Sequence, residues 1–277
     1  MPHRRSNVST GAAERCGMPE AVSAEVRDHV ATIAFGAGQR LNALGTHQWE
    51  ELGRAARKLA NEHSVRAVVV RGRGGAFCAG SDLREWEHAS ADQMTQSLGV
   101  MEQALQAIED LPMPTVAVLE GIAAGGGCQL ALACDLQLAA ASARIGMPVS
   151  RLGILVPPSF AIRLAMRIGP ARTKDLLYSG RLLPAKEAQD AGLITTAVPD
   201  GELDAALAQL LDAWADLDQP SLRAAKAAVD DGFRPLVERV RGEPPGPAVD
   251  PQQFPQRIAA FLHRHGQPGS YRPGGQG

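Results

Sequence analysis

The chain has 277 residues, of which 45% are hydrophobic and 21% are charged, and its formal net charge is −2. This composition is typical of a globular protein and gives no reason to expect a nucleic-acid partner or an anionic membrane surface. No apolar run approaches the roughly 20 residues of a membrane span, and the amino terminus lacks the apolar core of a signal peptide.

The chain contains four cysteines, Cys16, Cys78, Cys128 and Cys134. Their spacing matches no metal-binding pattern, so we expect no metal site. The last three fall in segments that read as core or turn, where a cysteine usually acts as a small buried hydrophobe. Free buried thiols fit a reducing compartment, and we therefore expect a cytoplasmic protein.

Composition and periodicity divide the chain into four parts. Residues 1–19 lack periodicity and are expected to form a disordered tail. Residues 20–200 alternate between strand and helix patterns, which predicts an α/β fold. Residues 201–265 predict a helical region interrupted by a rigid, proline-rich link at 242–247. Residues 266–277 are rich in glycine and proline, which predicts a second disordered tail.

The first elements are a pair of strands and a helix. Residues 22–26 and 30–35 alternate between apolar and polar side chains, with a turn at 27–29. Apolar residues then recur at helical spacing from Trp49 to Ala60, which predicts an amphipathic helix.

A glycine-rich turn follows the next strand. Residues 67–70 form a short β-branched run that predicts a buried strand. Three glycines end this strand, and residues 84–88 have helix-forming sequence. The stretch between them, residues 76–83, therefore leads into a helix whose first N–H groups have no partner within the helix and can bind an oxygen. Gly80 allows the backbone to approach a ligand closely.

A second unit of the same kind comes after a helix around residues 98–108. Residues 114–119 predict a strand, residues 121–127 a loop almost without side chains, and residues 128–134 a buried helix. Two such turns can each donate one N–H to the same oxygen, which is the construction of an oxyanion hole.

The remaining elements are shorter or purely helical. Residues 136–139 predict a strand, and residues 145–155 predict a loop with strand character. Six further helices are predicted, at residues 159–168, 172–179, 184–191, 203–216, 220–231 and 254–265. Ser159 is expected to cap the first of these helices, and Gly169 is expected to end it.

The two glycine-rich stretches resemble the paired signatures of the crotonase superfamily, the enoyl-CoA hydratase/isomerase family. The segments 41–44, 134–135 and 188–193 fit the same pattern, and the resemblance covers about residues 22 to 265. It implies a spiral core of ββα units and a C-terminal helical region at a trimer interface. It also implies that the N–H groups of Ser81 and Gly126 hold the thioester oxygen of an acyl-CoA as an enolate.

Both acid–base glutamates of the family's hydratases are replaced in this chain. By the resemblance their positions correspond to Gln129 and Val149, and the stretch 154–158, where isomerases of the family often carry a carboxylate, has none. Efficient hydration is therefore not expected. Isomerisation, decarboxylation or carbon–carbon cleavage remain open, as does a catalytically silent subunit that binds acyl-CoA or assists assembly.

Other side chains could supply the missing proton transfer. Glu120 could act as a base if it were buried, although such a residue more often anchors the loop. Histidine is the side chain best suited to acid–base work near neutral pH, which makes His88 a candidate, although an exposed helical histidine is usually inert. Arg151 could pair with a carboxylate of the acyl group. Asp82 and Asp135 are better explained as a helix cap and a loop anchor.

The resemblance further implies CoA as part of the substrate and no permanently bound cofactor. It implies a homotrimer or a dimer of trimers, in which the last helix closes the adenine end from a neighbouring subunit. The residues expected to contact CoA are Arg40, Leu41, Ala43, Cys78, Ala79, Gly80, Asp82, Leu83, Gly125, Pro148, Phe261 and Arg264.

Overall fold

The computed structural model describes residues 21–241 and 246–265 of the chain. Both predicted tails, Cys16 and most of the proline-rich link near residue 244 lie outside these ranges. The strands of the described part are β1 (Val22–Arg27), β2 (Val30–Phe35), β3 (Ala67–Gly72), β4 (Thr115–Leu119), β5 (Ile122–Ala124), β6 (Leu136–Ala140), β7 (Arg144–Gly146), β8 (Leu182–Pro184) and β9 (Thr196–Val198).

The helices account for most of the remaining described chain. Two 3₁₀ turns, Arg40–Asn42 and Pro148–Leu152, accompany them. The helices are α1 (Thr46–Ala60), α2 (Leu83–Trp86), α3 (Ala91–Glu109), α4 (Gly126–Ala133), α5 (Pro158–Ser179), α6 (Ala185–Ala191), α7 (Leu203–Ala215), α8 (Gln219–Arg241) and α9 (Phe254–His265).

A six-stranded sheet forms the centre of the fold, in the order β1-β2-β3-β4-β6-β9. Strands β1 and β2 pair antiparallel through a tight turn at Asp28 and His29, both of which have positive φ. Every other neighbour in this sheet is parallel. The valine-rich strands β3 and β4 are almost wholly buried, as expected for parallel strands covered on both faces. The predicted α/β class with C-terminal helices is confirmed.

A second, three-stranded sheet pairs β5 with β7 and β7 with β8. Residues 121–127 were expected to be a loop without regular structure, and this expectation is wrong for β5, which occupies their middle. The physical reason is long-range pairing, since Ile122–Ala124 align in parallel with Arg144–Gly146. A three-residue strand carries too little local pattern to be detected.

Helix α5 also differs from the sequence prediction. It begins at Pro158 and continues to Ser179, so Ser159 lies inside the helix rather than at its cap. Gly169 does interrupt the helix with φ 75° and ψ 163°, but helical structure resumes at Pro170, which suits the first position of a helix. Helix α8 likewise runs ten residues beyond the predicted end at 231.

Large apolar side chains fill the space between the central sheet and helices α1 and α3. Trp49, Phe35 and Phe77 are fully buried there, and the Phe35 and Phe77 rings meet edge to face at 5.3 Å. Complete burial of one such side chain contributes about 1.5–3 kcal/mol. This core supports the turns that carry the candidate site.

The last helix, α9, folds back over its own chain. Leu155 N–H donates to Ala248 O at 3.0 Å, and Asp250 N–H donates to Gly153 O at 2.9 Å. The buried Phe254 then packs against Trp86, with ring centroids 6.2 Å apart. Within residues 21–241 and 246–265, no helix combines the length and apolar character needed to cross a membrane.

Candidate active site

Asn42 holds the first glycine-rich turn in place. It is buried, and its Nδ2 donates to Arg73 O at 2.7 Å and to Ala76 O at 2.8 Å. Its Oδ1 accepts from Gly38 N–H at 2.9 Å. The amide of Asn42 thus satisfies carbonyl groups that the turn leaves unpaired, which explains why a polar side chain is buried here.

Ser81 lies at the end of this turn, between two backbone hydrogen bonds. Leu44 N–H donates to Gly80 O at 2.8 Å, and Asp82 N–H donates to Leu44 O at 2.9 Å. Asp82 then begins α2 by accepting a hydrogen bond from Arg84 N–H. In the described part of the chain, the N–H of Ser81 has no hydrogen-bond partner.

The second turn brings the first residue of α4 to the same place. Gly125 has φ 55°, and its N–H donates to Gly146 O at 3.0 Å. Gly126 follows as the first residue of α4, so its N–H has no acceptor within the helix. Residues 21–241 and 246–265 supply no other acceptor for it.

Glycine is required where the two turns touch. A β-carbon at Gly80 would lie 2.8 Å from Ala124 O and 3.2 Å from Gly126 N. A β-carbon at Gly127 would lie 2.0 Å from Cys78 O. The two turns are therefore in backbone contact, and the N–H groups of Ser81 and Gly126 lie in the wall of one cavity.

This cavity has a volume of about 860 Å³. Part of its wall is apolar, so an uncharged group bound there loses its water and gains dispersion contacts. The apolar lining includes Trp86, Leu98, Met101, Met147, Val149 and Phe160.

The charged lining is strongly one-sided. Asp82 is the one carboxylate among the described lining residues, and Arg40 neutralises it by direct contact. Such a surplus of guanidinium groups suits a ligand with several negative charges, phosphate groups above all. The arginines are Arg40, Arg84, Arg144, Arg151, Arg181, Arg257 and Arg264.

Eleven of the twelve residues expected to contact CoA line this cavity, and Cys78 does not. The carbonyl of Cys78 accepts a hydrogen bond from Ala124 N–H at 2.9 Å, and its thiol is fully buried. Burial raises the pKa of the Cys78 thiol to about 12, so it stays protonated and unreactive. Phe261 and Arg264 line the cavity of their own chain, because α9 folds back onto it.

Of the two positions that correspond to the family's glutamates, only Val149 lines the cavity. Gln129 is completely buried and is not a lining residue, although its Nε2 contacts Met147 and Phe160, which are. Arg163 Nη1 donates to Gln129 Oε1 at 2.8 Å. Both polar ends of the Gln129 side chain therefore have partners within the protein.

Arg163 is the buried centre of a partly buried ionic network, none of whose members lines the cavity. Its guanidinium bonds Glu102 at 3.0 Å and Glu109 at 2.6 Å, and Arg241 bonds both carboxylates from the other side. Burial opposes ionisation of Glu109, but Arg163 and Arg241 outweigh it and lower the pKa of this carboxyl. Sequence reasoning missed this network, because each arginine is separated from its glutamate partners by 54 to 139 positions.

The two remaining acid–base candidates, Glu120 and His88, do not line the cavity. Glu120 sits 3.6 Å from Arg71 on the surface, and His88 is exposed. Asp135 accepts from Thr115 N–H at 2.8 Å and pairs with Lys226 at 2.9 Å, as an anchor does. Arg151 lines the cavity and donates to Ser179 O.

These features define an α/β protein in which two unpaired backbone N–H groups face an arginine-rich cavity with a partly apolar wall. The chain belongs to the enoyl-CoA hydratase/isomerase family, because the family model of that description matches residues 25–242.

Individual relatives agree with this assignment. The chain is 34% identical over 206 residues to human mitochondrial methylglutaconyl-CoA hydratase, covering 73% of this chain and 60% of the relative. It is 39% identical over 186 residues to an enoyl-CoA isomerase/hydratase of Mycosarcoma maydis, covering 66% of each. The crystal structure of an enoyl-CoA hydratase from Bacillus anthracis superimposes with a TM-score of 0.74 at 29% identity, covering 89% of this chain and 92% of that one.

Proposed function

We propose that this protein is an acyl-CoA enzyme that binds the thioester oxygen between the N–H groups of Ser81 and Gly126. The observation that carries the proposal is the pair of unpaired backbone donors in the wall of one cavity. Donors that are fixed before the reaction stabilise a negative oxygen without reorganisation, and each contributes about 10²–10³ in rate. The intermediate stabilised in this way is the thioester enolate.

CoA itself enters as part of the substrate, and no permanently bound cofactor is proposed. The surplus of arginines around the cavity supports binding of its phosphate groups. Phe261 provides an aromatic surface for the adenine ring, and Arg264 lies one turn further along α9.

Hydration of an enoyl-CoA is expected to be slow. That reaction needs a general base and a general acid, which typically contribute about 10²–10⁴-fold. Among the described lining residues the only carboxylate is Asp82, and it is occupied by Arg40 and the N–H of Arg84. Isomerisation, decarboxylation and carbon–carbon cleavage therefore rank beside hydration, since all three use the enolate.

The lack of a free acid or base in the described lining favours a second candidate, a silent subunit that binds acyl-CoA without turnover. Such a cavity would bind and polarise the thioester but would not transfer a proton. Turnover measured on crotonyl-CoA and a panel of other acyl-CoA thioesters separates the two. Any turnover well above the uncatalysed rate excludes the silent subunit, and hydration with kcat/KM near ~10⁷ M⁻¹s⁻¹ would contradict the expected slow hydration.

We also propose self-association as a homotrimer or a dimer of trimers. Helix α8 has no buried residue, and its Val229 and Phe233 are 61% and 45% exposed. An apolar surface of this kind is usually covered by a partner, so light scattering at micromolar concentration should give three or six chains. The buried thiols of Cys128 and Cys134 support a cytoplasmic location.

The oxygen site is tested with a chromophoric thioester, 4-(dimethylamino)cinnamoyl-CoA. Its absorption moves to longer wavelength when its carbonyl oxygen accepts stronger hydrogen bonds, so the test needs no turnover. Wild type should give this red shift, Ser81→Ala should retain it because the N–H remains, and Ser81→Pro should abolish it. An unchanged red shift in Ser81→Pro would exclude the proposed site.

A further inference from the structure

Both ends of the Gln129 amide are occupied by the protein. Its Oε1 accepts from Arg163 Nη1 at 2.8 Å. Its Nε2 donates to Phe160 O at 3.4 Å and faces Met147 Sδ at 3.5 Å. A fully buried amide with these partners is fixed in orientation, and it connects α4 to α5.

Arg163 is itself held from several sides. It is 6% exposed, bonds Glu102 and Glu109, and lies 5.9 Å above the ring of Phe160. Because a guanidinium is planar and its N–H groups have fixed directions, these partners fix the direction of Nη1 as well. The hydrogen bond to Gln129 is thus made from a rigid donor.

Gln129 is three residues after Gly126 in the short helix α4. A helical turn spans 3.6 residues, so fixing Gln129 fixes the turn that carries the Gly126 N–H. We propose that Arg163 is a positioning residue, which holds the Gly126 N–H at the cavity through Gln129. This inference rests on the proposed role of Gly126 as a thioester donor.

The network also explains why a neutral residue suits position 129. Arg163 and Arg241 balance Glu102 and Glu109, two positive charges against two negative ones. A glutamate at 129 would add a third carboxylate, fully buried, beside two guanidinium groups, and it would lose the donor that bonds Phe160 O. Gln129→Glu alone is therefore expected to lower the melting temperature and not to raise crotonyl-CoA hydration.

The test compares Gln129→Met with Gln137→Met. Gln137 is also a buried amide, but its Nε2 donates at 3.0 Å to Ala131 O and Cys134 O, at the opposite end of α4. Both substitutions remove a buried amide of the same size. A loss of stability should therefore appear in both, whereas a loss of donor position should appear only in Gln129→Met.

The readouts are the red shift of the bound cinnamoyl thioester and its Kd relative to that of free CoA. Gln129→Met should reduce the red shift by more than half. It should also lower the preference for the thioester over free CoA about tenfold, which is less than the effect of losing one donor completely. Gln137→Met should change the melting temperature but neither readout. Binding of free CoA should stay within about twofold in both variants, because neither Gln129 nor Gln137 lines the cavity or contacts one of the arginines that line it.

Arg163→Lys provides a second variant in case Gln129→Met fails to fold. It keeps the positive charge between the carboxylates but loses the planar group that bonds all three partners, so it should also lose the red shift. A normal red shift in a folded Gln129→Met or Arg163→Lys protein would overturn the inference, as would an equal loss in Gln137→Met. If the wild-type protein binds CoA but gives no red shift, the proposed thioester site is wrong, and the positioning role of Arg163, which depends on it, is wrong as well.

Discussion

The two sides of helix α4 differ in which part of the chain supplies the polar groups. On the cavity side, the backbone N–H of Gly126 faces a space whose described lining holds one neutralised carboxylate and several apolar side chains. Gln129, three residues further along the helix, accepts a hydrogen bond from Arg163, which in turn pairs with Glu102 and Glu109. In the function proposed here the backbone polarises the ligand, and in the inferred positioning role Arg163 holds the helix in place through Gln129.

The largest expected effect comes from separating the two turns. Gly80→Ala adds a β-carbon 2.8 Å from Ala124 O at a residue with φ 101°. Because backbone atoms cannot yield as a flexible side chain does, the N–H groups of Ser81 and Gly126 should move apart. The red shift should disappear, and binding of the thioester relative to CoA should weaken about 10²-fold, as for the loss of one donor.

Gly75→Ala is the matched control for this substitution. Gly75 also has positive φ, 75°, but a β-carbon there would meet nothing within 4 Å. It should cost about 1–3 kcal/mol in backbone strain and leave the red shift intact. Loss of the red shift in both variants would mean that backbone strain, and not contact between the turns, controls the donors.

A smaller effect is expected from weakening the ionic network. Arg163 and Arg241 overcome the burial of Glu109 and lower its pKa below the usual 4.5. A lowered pKa in the folded state stabilises the protein above pH 4.5, and this stabilisation is lost as the pH falls through the folded-state pKa. Glu109→Gln should lower the free energy of unfolding by about 2 kcal/mol at pH 7. Below pH 4.5, the free energy of unfolding of this variant should decrease less steeply with falling pH than that of wild type.

Urea unfolding between pH 3 and pH 7 measures this difference. Glu187→Gln is the control, because Glu187 pairs with Arg181 on the surface with 47% of its side chain exposed. That pair should contribute at most about 1 kcal/mol. Parallel pH profiles for wild type and Glu109→Gln would contradict the prediction.

The smallest effect should come from the two titratable residues outside the cavity lining. His88→Ala and Glu120→Gln should keep any acyl-CoA turnover within about twofold of wild type, since neither side chain lines the cavity. Loss of the proton transfer itself would cost about 10²–10⁴-fold. A decrease of that size in either variant would mean that the residue reaches the substrate in the working enzyme.

Local patterns were sufficient to predict the elements that carry their own signal. The valine run of β3 and the helical periodicity of α1 lie within single segments, and both predictions are confirmed. The two glycine-rich turns were also found from sequence, because glycine marks positions where a side chain does not fit. The family resemblance, now confirmed, rests on the same stretches.

Features that depend on distant partners could not be predicted. Strand β5 exists because β7 pairs with it, and the network at Arg163 joins helices far apart in the chain. The bond between Gln129 and Arg163 depends on that network, so the position of Gln129 in the sequence gave no sign that its amide is held by the protein outside the cavity lining. The return of α9 over its own chain depends on the pairing of Ile154 with Val249.

The use of main-chain donors has a consequence for how this protein can change over generations. Replacing Ser81 by any residue except proline leaves its N–H in place, so mutation there can vary the surroundings without removing the donor. Position 126 tolerates fewer substitutions, because a β-carbon there would lie 3.0 Å from Met101 Sδ and 3.1 Å from the ring of Trp49. The acid–base side chains around the proposed thioester site can therefore be exchanged by mutation without removing its two backbone donors.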